Sequence, residues 1–154
     1  MQRTDLPADL QKLVQTSRYA VLATVCPDGR PWNSPVAAAF DDKLNLYWGS
    51  AVASQHSRNI AANGQLFAVV FGGAGSEFEG KGLYLQMQAR ELTAKAEVKS
   101  ALKYYDVSFF EKHHPGITFL GDCPTRLYKA GPLNLWRNID SIQAGYFIDN
   151  RQPM

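Results

Sequence analysis

The sequence predicts a mainly β protein, an antiparallel β-barrel with short helices inserted between its strands. Tyr19 to Val25, Trp32 to Phe40 and Leu44 to Trp48 are apolar runs rich in β-formers, joined only by Cys26-Pro27-Asp28-Gly29-Arg30 and Asp41-Asp42-Lys43. Consecutive strands with tight turns make a meander, whereas parallel neighbours need a crossover of a dozen or more residues. More strand-like runs follow, and helical periodicity is confined to three short stretches. Six or seven strands with three inserted helices read as a compact barrel.

The chain has 154 residues, the size of one domain, and residues 1–154 read as a single unit without internal repeat or low-complexity tract. A net charge of +2, with 19% charged residues and scattered cations, argues against nucleic acid as a partner. Cys26 and Cys123 lack a CxxC partner and a His at ligand spacing, so no metal site is expected. The amino terminus lacks the apolar core of a signal peptide and no run reaches the length of a membrane span. A cytoplasmic protein without a membrane partner is the expectation.

Taken in order, Thr4 is the predicted N-cap of a helix over Asp5 to Thr16, with Leu6, Leu10, Leu13 and Val14 on its apolar stripe. Gly29 supplies the positive φ of the first hairpin turn. After Leu46-Tyr47-Trp48, the small residues Gly49 to Ala53 form a loop, and Ser54 opens a helix closed at Asn63-Gly64. Gln65 to Phe71 is a fourth strand, apolar enough for burial on both faces. Gly72 to Gly82, with five glycines, reads as a mobile loop and candidate lid.

Leu83 to Leu92 alternates, placing Leu83, Leu85, Met87 and Ala89 on one face and Tyr84, Gln86, Gln88 and Arg90 on the other. Thr93 caps a helix over Ala94 to Tyr105 whose buried stripe is Val98, Ala101, Leu102 and Tyr105. Ser108 to His114 adds a turn before Pro115-Gly116. His113 and His114 diverge as neighbours on a helix do and read as a solvated pair. Thr125 to Lys129, Leu133 to Trp136 and Ala144 to Ile148 are the late strands.

The stretch Leu46 to Ile60, LYWGSAVASQHSRNI, carries the most chemistry. A strand leading into a helix start presents unpaired amides and the positive end of the helix dipole, both suited to an anion. Ser54, Gln55, His56 and Arg58 add side-chain donors there. An ordinary strand-to-helix connection with a Ser N-cap is the alternative for this stretch alone. HExxH, GxSxG, a Walker loop and GxGxxG after a strand are all missing. With small residues over Asn33 to Ala39 and the aromatics Trp32, Trp48 and Trp136, the chain suits a flat heteroaromatic ligand with a phosphate tail.

Four segments together, ATVCPDGRPWNSPV (Ala23 to Val36), LYWGS with SQHSRNIAANG (Leu46 to Gly64), GLYLQMQAREL (Gly82 to Leu92) and the late Trp136 with Asp149-Asn150-Arg151, resemble the FMN-binding split barrels related to pyridoxamine 5′-phosphate oxidase. The resemblance covers nearly the whole chain. It implies an antiparallel split barrel and a homodimer with two FMN molecules at the subunit interface. It assigns the backbone of Asn33, Ser34, Pro35 and Val36 to the flavin ring edge. Trp48, Gly49 and Ser50 stand where the family lines the ribityl and phosphate region, Ser54, Gln55 and His56 where it holds the phosphate, and Trp136 and Arg151 match its late flavin-site residues in type.

The chain departs from the oxidases at several of these positions. Gln55 and His56 replace an Arg and a Lys, leaving Arg58, Asn59 or a partner subunit to compensate. Ala39 replaces a Lys that grips the substrate phosphate, and Phe147-Ile148-Asp149 replaces a late Arg-x-His. Each lost charge-assisted contact is worth about 1.5 to 3 kcal/mol, so pyridoxamine 5′-phosphate oxidase activity is not expected. The resemblance implies an FMN-binding oxidoreductase of unknown small-molecule substrate, with NADH or NADPH as possible donors. The alternatives are a flavin storage or sensing protein, or a split barrel using deazaflavin or haem, with His113 or His114 as axial ligand for haem. No catalytic residue is assigned; Tyr84, Arg90 and His56 are proton-donor candidates, each with an ordinary structural role as its alternative.

Overall fold

Side-chain alternation along the strands decides the architecture. In β1 (Tyr19–Val25), Ala20, Leu22 and Thr24 are buried while Tyr19 and Val25 are exposed, and each later strand must match that face. The computed structural model describes residues 1–72 and 81–154. The remaining strands are β2 (Pro31–Phe40), β3 (Leu46–Ala51), β4 (Gln65–Gly72), β5 (Lys81–Glu91), β6 (Thr125–Gln143) and β7 (Tyr146–Pro153). Neighbours run in the order β3-β2-β1-β4-β5-β6-β7, all antiparallel, and β3 also pairs with β6. Six strands therefore close into a barrel, and β7 extends it as a hairpin on β6.

The barrel interior holds Leu22, Leu46, Trp48, Val70, Leu83, Leu85 and Met87. Burying each such side chain contributes roughly 1.5–3 kcal/mol, the main favourable term here. Two helices stop the ends. The helix α1 (Ala8–Thr16) packs Leu10, Leu13 and Val14 into one end, and α2 (Gln55–Asn63) inserts Ile60 into the other. A second core lies on the outer face of β3 and β6. Tyr47 and Leu127 meet Val98 and Ala101 of α3 (Lys95–Ala101), with Tyr105 and Phe119, beside Phe110 of α4 (Ser108–His113).

The structure corrects several element boundaries. Arg3–Asp5 is a separate 3-10 turn and α1 starts at Ala8 after Pro7, because Leu6 is extended and cannot continue it. Gly49 to Ala51 are strand, not loop, since β6 continues to pair with them. β4 buries one face, Leu66, Ala68 and Val70, because its other face lies on the barrel exterior. The helix predicted from a Thr93 cap spans Lys95–Ala101 with Ala94 at its N-cap, and Leu102 is 42% exposed instead of joining the buried stripe. The two predicted strands at Thr125 and Leu133 are one, β6, with Leu133 as the extra residue of a bulge opposite Gln86 and Met87. The last strand starts at Tyr146 because Ala144 and Gly145, both at positive φ, form the hairpin turn. Of the predicted lid, Gly72, Lys81 and Gly82 are strand residues, and residues 73–80 lie outside the described residues.

The turn into β3 is built around Asp41. Its buried carboxylate accepts from the amides of Lys43 (2.8 Å) and Asn45 (2.9 Å), from Asn45 Nδ2 (2.8 Å) and from Tyr47 Oη (3.0 Å). This holds Leu44 at φ 61°, a conformation leucine seldom adopts, with its side chain fully buried. Burial, then the Asp41 carboxylate, pushes the Tyr47 phenol up, so it stays a donor. Asp41→Ala is expected to lower stability in urea unfolding by about 3 kcal/mol, and Tyr47→Phe by about 1 kcal/mol.

Candidate functional site

The barrel is split between β2 and β3. Their ladder covers only Ala38, Ala39 and Phe40 against Trp48, Tyr47 and Leu46, while Gly49 to Ala51 follow β6 away. Pro35 lacks the N–H that a longer ladder would need. The start of α2 fills the gap. Ser54 is extended, at φ −68° and ψ 151°, and its carbonyl accepts the first intrahelical bond from the amide of Arg58. By helix geometry the amides of Gln55, His56 and Ser57 have no intrahelical acceptor.

His56 bridges the split. Its Nδ1 lies 3.1 Å from Ser34 Oγ on β2, and its Nε2 lies 2.7 Å from Ser50 Oγ on β3 and 3.2 Å from Ser54 Oγ. Ser54 donates to Ser57 Oγ (2.8 Å), Ser57 hydrogen bonds the Tyr128 phenol, and Trp32 Nε1 donates to Ser34 Oγ (3.1 Å). At 8% exposure the ring is largely out of water, and burial pulls its pKa below the ordinary 6.5. Four serine hydroxyls thus gather around one largely buried imidazole. Further along the helix, Asn59 donates to Thr24 Oγ1 (2.9 Å) and accepts from Gln55 Nε2 (2.9 Å), which ties α2 to β1.

The other predicted site residues are distributed more widely. Asn33 and Pro35 point outward from β2, and Val36 belongs to the core. Trp48, grouped in the sequence with Trp32 and Trp136 as an aromatic suited to a flat ligand, is fully buried and stacked on Tyr128 at 5.5 Å, because β3 turns it into the barrel. Gly49 packs against the outer helices: a Cβ there would meet the Phe110 ring at 2.7 Å. The Arg58 guanidinium turns back onto the Ala53 carbonyl (2.6 Å) and Gln55 Oε1 (2.9 Å). Trp136 stacks near Phe67 at 5.8 Å, and the Arg151 guanidinium sits 4.3 Å over Tyr84. These two flank Tyr84 on the barrel exterior, away from α2.

Sequence reasoning missed Ser57, which the three-residue spacing from Ser54 on a helix would have indicated. It also missed Tyr128 and Arg126, which no local pattern marks. The β3–β6 register sets Arg126 opposite Ser50, but its guanidinium is taken by Glu91 (2.8 Å) and by the carbonyls of Cys123 and Gly121. His113 and His114 are exposed beside the end of α4, as expected of a solvated pair. Among the described residues no group of three His, Cys, Asp or Glu is placed to hold a metal ion, and no helix is long and apolar enough to cross a membrane.

Comparison with known proteins follows the same lines. The pyridoxamine 5′-phosphate oxidase family model matches residues 6–128. The chain belongs to that family. No curated protein matches it. Similar solved structures include an FAD-binding protein from Mesorhizobium loti, 21% identical with a TM-score of 0.65, covering 86% of this chain and 94% of that one. The haem storage protein HutZ from Vibrio cholerae is 16% identical with a TM-score of 0.64, covering 84% and 92%. A haem-binding protein from Mycobacterium smegmatis is 14% identical with a TM-score of 0.66, and this chain covers 59% of its length. At these identities they establish the shared fold.

This member of the pyridoxamine 5′-phosphate oxidase family places a buried histidine in its split, and that histidine ties stability to pH. The folded pKa of His56 is depressed, so the unfolded chain binds its proton more readily. The contribution is fully present above the ordinary value of 6.5 and is lost as pH falls through that value toward the folded one. Urea unfolding at pH 7.5 and 5.5 should show a larger loss of stability for the wild type than for His56→Gln.

Proposed function

We propose that this chain is an FMN-binding oxidoreductase that acts as a homodimer, with each flavin between two copies. The observation that carries this reading is the division of the donor set. Ser34, Ser50, Ser54, His56 and Ser57 gather at the split, while Trp136 and Arg151 gather elsewhere on the barrel exterior. Pro35, Val21, Val69, Tyr84 and Trp136 are paired in register from β2 to β6, an outward row of mostly apolar side chains. Four strand spacings along that row amount to about 19 Å. The two groups lie about four strands apart on one chain, and a two-fold partner laid on this row would bring its second group toward the first. Exposed Tyr19 and Phe71, each 68% accessible on the same face, support a covered surface.

The donor set fits a phosphomonoester. The amides of Gln55, His56 and Ser57 and the serine hydroxyls supply neutral donors at a helix start, and no carboxylate joins the cluster among the described residues. The unpaired edge of β2 at Asn33 to Pro35 offers backbone groups to a ring edge, and Gln55 and Arg58 brace the turn. When bound, FMN supplies hydride and electron transfer at its ring, and the protein positions and shields it. Ala39 is half-buried against the outer aromatic core, which supports a substrate other than pyridoxamine phosphate.

The absorption spectrum and solution mass of the purified protein test this reading. About one FMN per chain is expected, bound as purified or on addition, in a particle of twice the 17.1 kDa chain, with the flavin reduced by NADH or NADPH. A chain that ignores added FMN, or that shows a haem Soret band instead, overturns it.

A further inference from the structure

We infer that His56 makes phosphate binding at this site proton-coupled: the ring takes up a proton from solvent when a phosphate dianion binds beside it. The inference rests on the FMN reading and deepens it. A neutral imidazole has one N–H and one lone pair, so one of its nitrogens must accept a hydroxyl proton. The Nε2 nitrogen faces Ser50 and Ser54, and Nδ1 faces Ser34. Whichever serine donates to the ring has no hydroxyl hydrogen left for a ligand. An imidazolium donates from both nitrogens, and that serine is released to donate to the phosphate. Protonation therefore adds a positive charge and a donor together.

The surroundings leave this task to His56. β2 contributes no titratable side chain. β3 carries Tyr47, which faces Asp41 on the far side. Cys26, after β1, faces Asn59, and the nearby Asp28 and Arg30 pair with each other. Glu91 of β5 pairs with Arg126 of β6, and Tyr128 of β6 bonds Ser57. On α2 itself Arg58 is held by Ala53 and Gln55. Among the described residues no carboxylate bonds the ring, and an arriving dianion is the charge that would favour the imidazolium. A lysine at the same place would carry its charge at every physiological pH. Here affinity follows pH instead.

Isothermal titration with FMN at pH 7.5, in two buffers of different ionisation enthalpy, measures the coupling directly. Between about half and one proton should be taken up per FMN bound, and none with riboflavin, which lacks the phosphate. Because the phosphate stays a dianion above pH 7, FMN affinity should fall about tenfold from pH 7.0 to 8.5 in the wild type and by less than about twofold in His56→Gln. Side-chain nitrogen NMR of the wild type, which has only three histidines, should show one ring passing to imidazolium on FMN addition. FMN binding without proton uptake and with a flat pH profile overturns the inference and leaves the FMN reading standing. Absence of FMN binding at every pH overturns both.

Discussion

The hydrogen bonds that His56 makes across the gap between β2 and β3 are the constraint on which the site end of the barrel depends. Backbone pairing stops after Ala38 and Trp48, and the next rungs are replaced by Ser34–His56–Ser50. A buried ring with both nitrogens satisfied avoids the cost of about 1–3 kcal/mol that each unpaired polar group would carry. It also fixes the helix that bears it. Asn59 clips α2 to Thr24, Ile60 enters the core, and Gly64 at φ 67° turns the chain where a Cβ would meet the Ala89 carbonyl at 2.8 Å. The groups that close the fold here are the same groups that make up the donor cluster at the split.

The outer aromatic core has a part in keeping β2 and β3 apart beyond Ala38 and Trp48. Tyr105 hydrogen bonds the Gly49 backbone, and Phe110 leaves no room for a side chain there. Held from that side, β3 follows β6 and leaves β2 after three rungs. Trp48 is then carried inward onto Tyr128, which reaches Ser57 through its phenol. The Trp48 side chain therefore acts at the site by supporting the wall behind it. Its Nε1 finds no protein acceptor among the described residues.

A shared fold does not choose a ligand: similar barrels include an FAD-binding protein and two haem proteins. The choice lies with the site. Hydroxyls and helix amides gather around the largely buried His56 at the split, whereas His114 lines a separate cavity with Ile117, Cys123 and Pro124.

Much of this was legible in the sequence, for a local reason. Turn residues and two-residue alternation act over a few positions, so β1, the Gly29 turn, the inward face of β5 and the closure of α2 at Gly64 are read directly from the chain. The Ser54 and His56 donors were likewise visible as residues at a helix start, and the order of the segments resembled the family to which the chain belongs. Their geometry was not visible. That Ser34 and Ser50 meet on His56, that Trp48 turns inward, that β6 runs unbroken past Leu133, and that Trp136 lies far from the split all follow from strand register. Register is set by which faces are buried across the whole barrel and by the outer core holding β3 at Gly49. These are contacts between residues distant in sequence, and no local pattern encodes them.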